Sequence, residues 1–245
     1  MAGMLQIDDI PNAAPEDSVL NSLLDDFFQH RHFKNPTQRK ATVQILKRET
    51  DVIVSLPKGY GRTTCFQLPI LICQQKVSIV FVGLSSRVNM QITRLNREDV
   101  YVEVLDAETS SEEWGLVQST IHRLCNMLSS HNSILYVTLD VIFNVNFSHL
   151  LRYLIETNNL GYIVVDESYC ENQWMSGQKQ NYHALGLLRC ICNHIPWVVA
   201  TIKTNIEVVN RIKSTLCLRT QRPDIPKDSV LWYGLHFEDD AVVDN

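Results

Sequence analysis

Short runs of β-branched residues alternate with longer amphipathic stretches along most of the chain. Such apolar runs are typical of strands buried on both faces, and the stretches between them are typical of helices that cover a parallel sheet. Strands are predicted at 51–56, 77–83, 101–105, 133–138, 161–166, 196–201 and 229–234. Helices are predicted at 18–30, 37–49, 63–74, 86–96, 111–128, 147–157, 181–193 and 205–216. The pattern predicts an α/β fold with a doubly wound, mostly parallel sheet flanked by helices.

The predicted elements fall within one domain, residues 17–236, and 245 residues with 45% hydrophobic content can bury a full core. Residues 1–16 carry little periodicity and contain two prolines, which is typical of a flexible N-terminus. Residues 237–245 turn acidic, and we expect them to fray as a C-terminal tail.

The charge balance is acidic, with 27 acidic side chains against 22 basic ones and a formal net charge of −5. A protein that binds nucleic acid through its whole surface needs an excess of positive potential, so this balance excludes that class. Any contact with DNA must therefore be local.

The seven cysteines are odd in number and lie mostly in apolar runs, which is typical of buried thiols in a reducing compartment. Cys190, Cys192 and His194 resemble half of a zinc site, but a structural site needs four ligands and a second pair is missing, so buried cysteines are the favoured interpretation. The sequence has no signal-peptide pattern and no apolar run near the roughly 20 residues that span a bilayer. We expect an intracellular protein with no membrane partner.

Residues 52–69 hold the most informative motif. A buried strand is followed by a tight turn at two glycines and then by a helical pattern, and backbone N–H groups at such a helix start can cradle phosphates. The motif therefore has the layout of a nucleotide-binding P-loop. The predicted nucleotide-binding residues of this loop are Lys58, Gly59, Gly61, Arg62, Thr63 and Thr64.

Arg62 stands where a P-loop carries its phosphate-binding lysine. Lysine acts there as a compact ammonium, whereas arginine is a wide planar fork that cannot fill the same space. Loss of a main charge stabiliser in phosphoryl transfer costs orders of magnitude in rate. We therefore expect ATP hydrolysis to suffer more than ATP binding.

The strand predicted at 161–166 ends in two adjacent carboxylates, Asp166 and Glu167. Taken alone, this pair is more typical of a solvated sheet edge. Beside a P-loop, one carboxylate can hold hydrated Mg²⁺ while its neighbour polarises the attacking water. With the P-loop upstream, we predict that both acids are catalytic and that Thr63 and Asp166 hold the Mg²⁺ bound to ATP.

Several separated segments, in the right order, resemble the first RecA-like domain of RecQ-family DNA helicases, and most of all its animal branch numbered five. The five matching segments are 28–38, 65–69, 133–140, 166–174 and 181–189, and the coupling segment 198–204 keeps Thr201 of the family's coupling motif. Chance is a poor explanation for so many matches in sequence order.

The resemblance implies ATP and Mg²⁺ as cofactors and single-stranded or junction DNA as a partner. Gln38, in a segment that includes Lys34, is then the residue that holds the adenine edge, and Gln67 belongs to the family's continuation of the P-loop. Contacts with DNA are implied for Thr138, Trp174 and Lys179. A nuclear location and a protein partner in DNA repair or replication follow from the resemblance alone.

The departures from the family pattern fall mostly on chemistry. Besides Arg62, the DNA-sensing loop keeps Trp174 but few of its other side chains, and Lys203 replaces a threonine of the coupling segment. We also expect no second motor lobe within the 245 residues. The favoured hypothesis is a degenerate helicase lobe that binds ATP and DNA weakly and does not unwind DNA alone. The alternatives are a pseudoenzyme that binds a protein partner and an ATPase completed by another chain.

Overall fold

The computed structural model describes residues 16–73, 76–83, 92–93, 95, 100–126, 132–166, 179–203, 205–218 and 231–234. Its strands form one sheet in the order β3-β4-β2-β5-β6-β1-β7, and every strand pairing is parallel. The strands are β1 Val52–Ser55, β2 Val77–Phe81, β3 Val100–Leu105, β4 Asn132–Val137, β5 Leu160–Asp166, β6 Trp197–Thr201 and β7 Leu231–Gly234. The predicted α/β fold with a mostly parallel sheet is confirmed.

Helices cover both faces of this sheet. They are α1 Asp17–Phe28, α2 Pro36–Lys47, α3 Arg62–Ile72, α4 Ser111–Asn126, α5 Val145–Glu156, α6 Lys179–Ile191 and α7 Ile206–Thr215, with a 3₁₀ helix at Leu139–Phe143. The sequence did not predict the 3₁₀ helix, because one short turn leaves no periodic pattern. The predicted helix 86–96 lies mostly outside the described residues.

Alternate side chains of the strands pack into two cores. In β1, Ile53 joins the cluster beneath α4 to α7, whereas Val52 and Val54 join the cluster beneath α2 and α3. Since successive side chains of a strand point to opposite faces, a run of apolar residues is what a sheet covered on both sides requires. None of the described helices is long and apolar enough to cross a bilayer.

A buried ion pair closes the amino end of the sheet. Arg189 Nη2 donates to Asp51 Oδ2 at 2.9 Å, and the N–H of Trp197 donates to Asp51 Oδ1 at 2.9 Å. Arg189 Nη1 also donates to the carbonyls of Cys192 and Ile195 at 2.8 and 3.1 Å. The pair therefore ties the end of α6 to the first residues of β1 and β6.

The carboxyl ends of β1, β5 and β6 meet at the opposite edge, because all strands run in the same direction. The loop at 56–61 follows β1, and Asp166 ends β5. Only β6 separates these two strands, so the fold brings the phosphate loop and the first predicted acid together. The single-domain boundaries 17–236 stay a prediction.

Candidate nucleotide-binding site

The phosphate loop turns through two glycines with left-handed backbone. Gly59 has φ +92° and Gly61 has φ +79°, a region that other residues rarely adopt. Gly61 is also the N-cap of α3, and a Cβ on it would lie 2.2 Å from Gln38 Nε2. The sequence therefore needs glycine at 61 for two separate reasons, backbone conformation and close approach.

Side chains around the start of α2 hold three successive carbonyls of the loop. Lys34 Nζ donates to the carbonyl of Gly59 at 3.1 Å, and Asn35 Nδ2 donates to that of Tyr60 at 3.3 Å. Gln38 Nε2 donates to the carbonyl of Gly61 at 3.0 Å. We call Lys34, Asn35 and Gln38 the loop clamp, since together they fix the direction of these peptide groups.

Gln38 itself is fixed at both ends of its amide. Its Oε1 accepts the N–H of Lys34 at 2.6 Å, and its side chain is 1% exposed. Asn35 has a second role, because its Oδ1 accepts the N–H of Gln38 at 2.8 Å and so caps α2. Sequence reasoning missed Asn35, although an asparagine before a proline at a helix start is a recognisable capping signal.

Arg62 points back beneath the loop. Its Nη1 donates to the carbonyl of Leu56 at 3.0 Å, and its Nη2 lies 3.8 Å from Asp166 Oδ1. The side chains of Arg62 and Asp166 are only 11% and 1% exposed. The cation at the lysine position and the predicted metal-binding carboxylate therefore form an ion pair with each other.

The other loop residues differ in access to solvent. Lys58 and Gly59 are exposed, and Thr63 in the first turn of α3 is half-buried. Thr64 is 9% exposed, and its N–H donates to the carbonyl of Gly61 at 3.1 Å. Lys58 and Thr63 can therefore reach a ligand more easily than the side chain of Thr64 can.

Gln67 is not brought to the loop by a described contact. Its Nε2 donates to Tyr136 Oη in β4 at 2.9 Å, and the side chain is 4% exposed. It lies about one and a half turns into α3, away from the end where phosphate would bind. Its role in nucleotide binding stays a prediction.

The sequence profile of the DEAD/DEAH box helicases matches residues 35–209, well over half of the chain. The chain belongs to this family. It is 30% identical over 200 residues to ATP-dependent DNA helicase Q5 of Mus musculus. This alignment covers 82% of the chain and 20% of that relative. It is 25% identical over 238 residues to ATP-dependent helicase wrn-1 of Caenorhabditis elegans, covering 94% of the chain and 21% of that relative. The chain thus spans about a fifth of the length of these two relatives.

A solved structure shows the same fold. The DEAD-box helicase Mss116, bound to single-stranded RNA and UDP-BeF, matches with a TM-score of 0.57 at 16% identity, over 95% of this chain and 46% of that one. The predicted RecA-like lobe and the resemblance to RecQ-family helicases are therefore confirmed.

In this helicase lobe, the coupling segment is bonded to the root of the phosphate loop. The N–H of Leu56 donates to the carbonyl of Thr201 at 3.1 Å, and Ser55 Oγ donates to the carbonyl of Lys203. The N–H of Lys203 donates to Thr201 Oγ1 at 3.0 Å. The end of β6 is therefore bonded to Ser55 and Leu56, and the carbonyl of Leu56 accepts a hydrogen bond from Arg62.

A neutral thiol lies under the helicase phosphate loop. Cys65 is fully buried, and its Sγ lies 3.6 Å from the carbonyl of Gly61, to which it can donate. Burial raises the pKa of Cys65 to about 12, against the weaker opposing effects of its hydrogen bond to Thr42 and of the charge on Arg62. Cys65 therefore stays protonated and does not act as a nucleophile.

The predicted DNA-contacting residues are placed only in part. Thr138 follows β4, is 4% exposed, and its N–H donates to the carbonyl of Leu105 at 3.1 Å. Lys179 is the first residue of α6, but its side chain lies outside the described part of the structure, as do Glu167 and Trp174 altogether. Their roles stay predictions.

The cysteines near the end of α6 do not form a zinc site with other described residues. Among the residues that the structure describes, no group of three or more His, Cys, Asp or Glu side chains could hold a metal ion. Cys192 is buried, whereas Cys190 is exposed at the other side of the same turn.

Proposed function

We propose that this helicase lobe binds ATP and single-stranded DNA weakly and does not unwind DNA by itself. The proposal is carried by one observation, the inward ion pair of Arg62 with Asp166. Because Arg62 is bonded to Leu56 and faces Asp166, it does not extend toward a phosphate as the family's lysine does. The mouse and nematode relatives are ATP-dependent helicases, and a lobe that keeps their fold without their phosphate cation is expected to bind more than it turns over.

The seat for the nucleotide is supported by the loop clamp. Peptide groups of residues 59–61 are held in place, and the amino end of α3 presents its N–H groups and positive dipole end to the same region. We place the phosphates of ATP at this helix start, where Lys58 and Thr63 are accessible.

The adenine has a candidate position beside the clamp. A surface pocket of about 390 Å³ is lined by Phe33, Lys34 and Asn35, among others. Gln38 Oε1 already accepts one N–H from the backbone of Lys34 and, as a carbonyl oxygen, has a second lone pair for an adenine amino group. Gln38 does not itself line the pocket, but its hydrogen bond to Lys34 places it next to the lining, so we propose that it meets the adenine edge while the base plane lies in the pocket.

The family implies Mg²⁺, and Thr63 and Asp166 are the residues that would hold it. Thr63 fits this role, because its hydroxyl supplies an oxygen ligand and its side chain, in the first turn of α3, is only half-buried. Asp166 does not fit as arranged, because its carboxylate already faces the guanidinium of Arg62. We therefore expect Mg²⁺ to contribute little to nucleotide binding. The catalytic roles of Asp166 and Glu167 are proposed only for a form of the lobe in which this pair is opened.

DNA binding is proposed from the family resemblance. We propose that Trp174 supplies a surface for base stacking, Lys179 a phosphate contact and Thr138, which follows β4, a further contact with DNA. A net charge of −5 leaves little long-range attraction, so binding should be weak. Fluorescence anisotropy of labelled single-stranded DNA tests this, because phosphate contacts must weaken as salt rises.

The nucleotide site is tested with a fluorescent ATP analogue and Gly61→Ala. The new Cβ would meet Gln38 and sit on a left-handed backbone, so we expect affinity to fall about tenfold or more. Gly115→Ala is the matched control, because a Cβ at Gly115 in α4 meets nothing within 4 Å. Equal binding by both variants, or the absence of saturable binding in the natural protein, would contradict the proposal.

A second candidate is a pseudoenzyme that acts by binding a protein partner in DNA repair or replication in the nucleus. It is favoured by exposed apolar side chains of α6, where Leu187 and Ile191 are 72% and 62% exposed and Leu187 lines a pocket together with Phe143. Loss of a cellular partner on Leu187→Glu, with unchanged nucleotide affinity, would favour this candidate over the first.

A further inference from the structure

The ion pair between Arg62 and Asp166 bears on the metal requirement of the site. Arg62 is the first residue of α3, so its Cα lies where the phosphates of a nucleotide are proposed to bind. Its guanidinium is nonetheless turned inward, with Nη1 on the carbonyl of Leu56 and Nη2 toward Asp166. If this pair selects between metal-free and metal-bound nucleotide, that role rests on the nucleotide binding proposed at this loop.

Arg62 places a permanent positive charge at this position. A guanidinium does not lose its proton in proteins, so the positive charge beside Asp166 cannot be switched off. The fork of Arg62 is planar and engages two partners in fixed directions, a carbonyl at 3.0 Å and a carboxylate oxygen at 3.8 Å. A lysine ammonium, which is a single point on a flexible stem, has no such double attachment.

A metal ion at Asp166 would have to share this space. Mg²⁺ requires near-octahedral oxygen ligands at about 2.1 Å and keeps several of its waters. Arg62 Nη2 lies 3.8 Å from Asp166 Oδ1, within the shell that the ion and its waters would occupy around that oxygen. Binding the ion would also expel Arg62 from a position where its side chain is only 11% exposed.

The negative charge of the phosphates can be met without a metal. The amino end of α3 faces them, and two lysines stand at the rim of the loop. Lys34 is exposed with its Nζ 3.1 Å from the carbonyl of Gly59, and Lys58 is exposed on the loop itself. These cations supply the positive charge that Mg²⁺ supplies in other nucleotide-binding sites.

We infer that Arg62 occupies the place of the divalent cation, so that this lobe binds nucleotide in its metal-free form. Arg62 is then a specificity-determining residue that fixes which form of the nucleotide binds. Asp166 serves as the anchor of Arg62 and does not hold Mg²⁺.

The test compares nucleotide affinity in Mg²⁺ and in EDTA, using a fluorescent ATP analogue. For the natural protein we expect the two dissociation constants to agree within about threefold. Arg62→Lys removes the guanidinium from beside Asp166, and the affinity of this variant for the analogue should become about tenfold or more tighter in Mg²⁺ than in EDTA. Arg123→Lys, an exposed arginine of α4 on the other face of the sheet, is the control and should behave as the natural protein does. A natural protein whose binding falls about tenfold in EDTA would overturn the inference.

A second arm needs no nucleotide and separates this inference from the proposed function. Mn²⁺ alone is titrated and its free fraction is read by electron paramagnetic resonance. The natural protein and Asp166→Asn should bind Mn²⁺ equally, whereas Arg62→Lys should gain a site that the double variant with Asp166→Asn loses. If no variant binds the ATP analogue, the proposed function fails, and this arm still decides whether Arg62 occupies the place of the divalent cation. Loss of Mn²⁺ binding from the natural protein on Asp166→Asn alone would overturn it.

Discussion

Two buried arginine–aspartate pairs lie at opposite ends of the same sheet. At the amino end, Arg189 and Asp51 are joined at 2.9 Å, with side chains 5% and 1% exposed. At the carboxyl end, Arg62 and Asp166 are 3.8 Å apart, and Arg62 is 11% exposed. The same two residue types therefore meet once in a tight pair and once in a longer one.

The surroundings explain the difference. Asp51 also accepts the N–H of Trp197, and Arg189 also donates to two carbonyls, so the amino-end pair is part of a network that joins α6, β1 and β6. The carboxyl-end pair lies under the loop at which we propose that nucleotide binds. We interpret the first pair as structural and the second as part of the site.

The largest effect is expected for Arg189→Ala. This change leaves the Asp51 carboxylate buried without its arginine, and breaking a buried pair in this way costs about 3–5 kcal/mol. Urea unfolding followed by circular dichroism measures the loss. Arg211→Ala, an exposed arginine of α7, should change stability by less than about 0.5 kcal/mol. If Arg189→Ala lowers the unfolding free energy by no more than Arg211→Ala does, the amino-end pair does not have the structural role assigned to it.

A smaller effect is expected for Arg62→Ala in the same measurement. Because its ion pair is longer and its side chain more accessible, we expect a loss of about 1.5–3 kcal/mol, that of one charged hydrogen bond. A cost equal to that of Arg189→Ala would show that both pairs are structural and would break the comparison.

Gln38→Ala sharpens the comparison, because it loosens the loop above the carboxyl-end pair without touching the pair. Loss of its bonds to Gly61 and Lys34 should cost about 1–2 kcal/mol in stability and weaken nucleotide binding about tenfold. Gln44→Ala is the control in the same helix, since Gln44 bonds Thr50 instead. It should leave the affinity for a fluorescent ATP analogue unchanged, and an equal loss of affinity in both variants would refute the role of the clamp.

The smallest effect is a difference in labelling rate between two thiols. Cys65 lies near Arg62 and Cys192 near Arg189, and burial raises the pKa of each to about 12. Both should react slowly with a thiol reagent, and we expect Cys65 to react faster, since the ion pair of its neighbour Arg62 is longer than that of Arg189. Nucleotide should slow only Cys65. Mass spectrometry of the labelled peptides reads both rates, and faster labelling of Cys192 would contradict the assignment.

The same thiols predict a pH dependence of stability. Each holds its proton more tightly when folded, since its pKa rises from 9.0 to about 12. Their contribution is therefore fully present below the unfolded pKa and is lost as pH rises through this window. Unfolding free energy should fall over that range, and replacing Cys192 with alanine should reduce the slope.

The sheet could be predicted from the sequence because its strands are carried by uninterrupted β-branched runs. Residues such as Ile53 and Val164 are buried on one face while their neighbours are buried on the other. The 3₁₀ helix after β4 could not be predicted, since its apolar residues fit a strand or a helix equally well.

The sequence indicated individual residues of the candidate site but not the contacts between them. The glycines and Asp166 follow from local patterns, and the sequence also indicates that Arg62 cannot act as lysine does. Where Arg62 goes instead depends on Asp166, which lies far along the chain. The clamp likewise joins α2 to a loop more than twenty residues later. The hydrogen bond of Gln67 to Tyr136 also joins residues far apart in the chain, while the role of Gln67 in nucleotide binding stays a prediction.

The most direct measurement of the central claim is a single-turnover experiment with labelled ATP and a large excess of the purified lobe, with single-stranded DNA present. We expect that ATP is retained on the protein and is not hydrolysed. Rapid formation of ADP that DNA accelerates would contradict it, because Arg62 would then be acting as the family's lysine does.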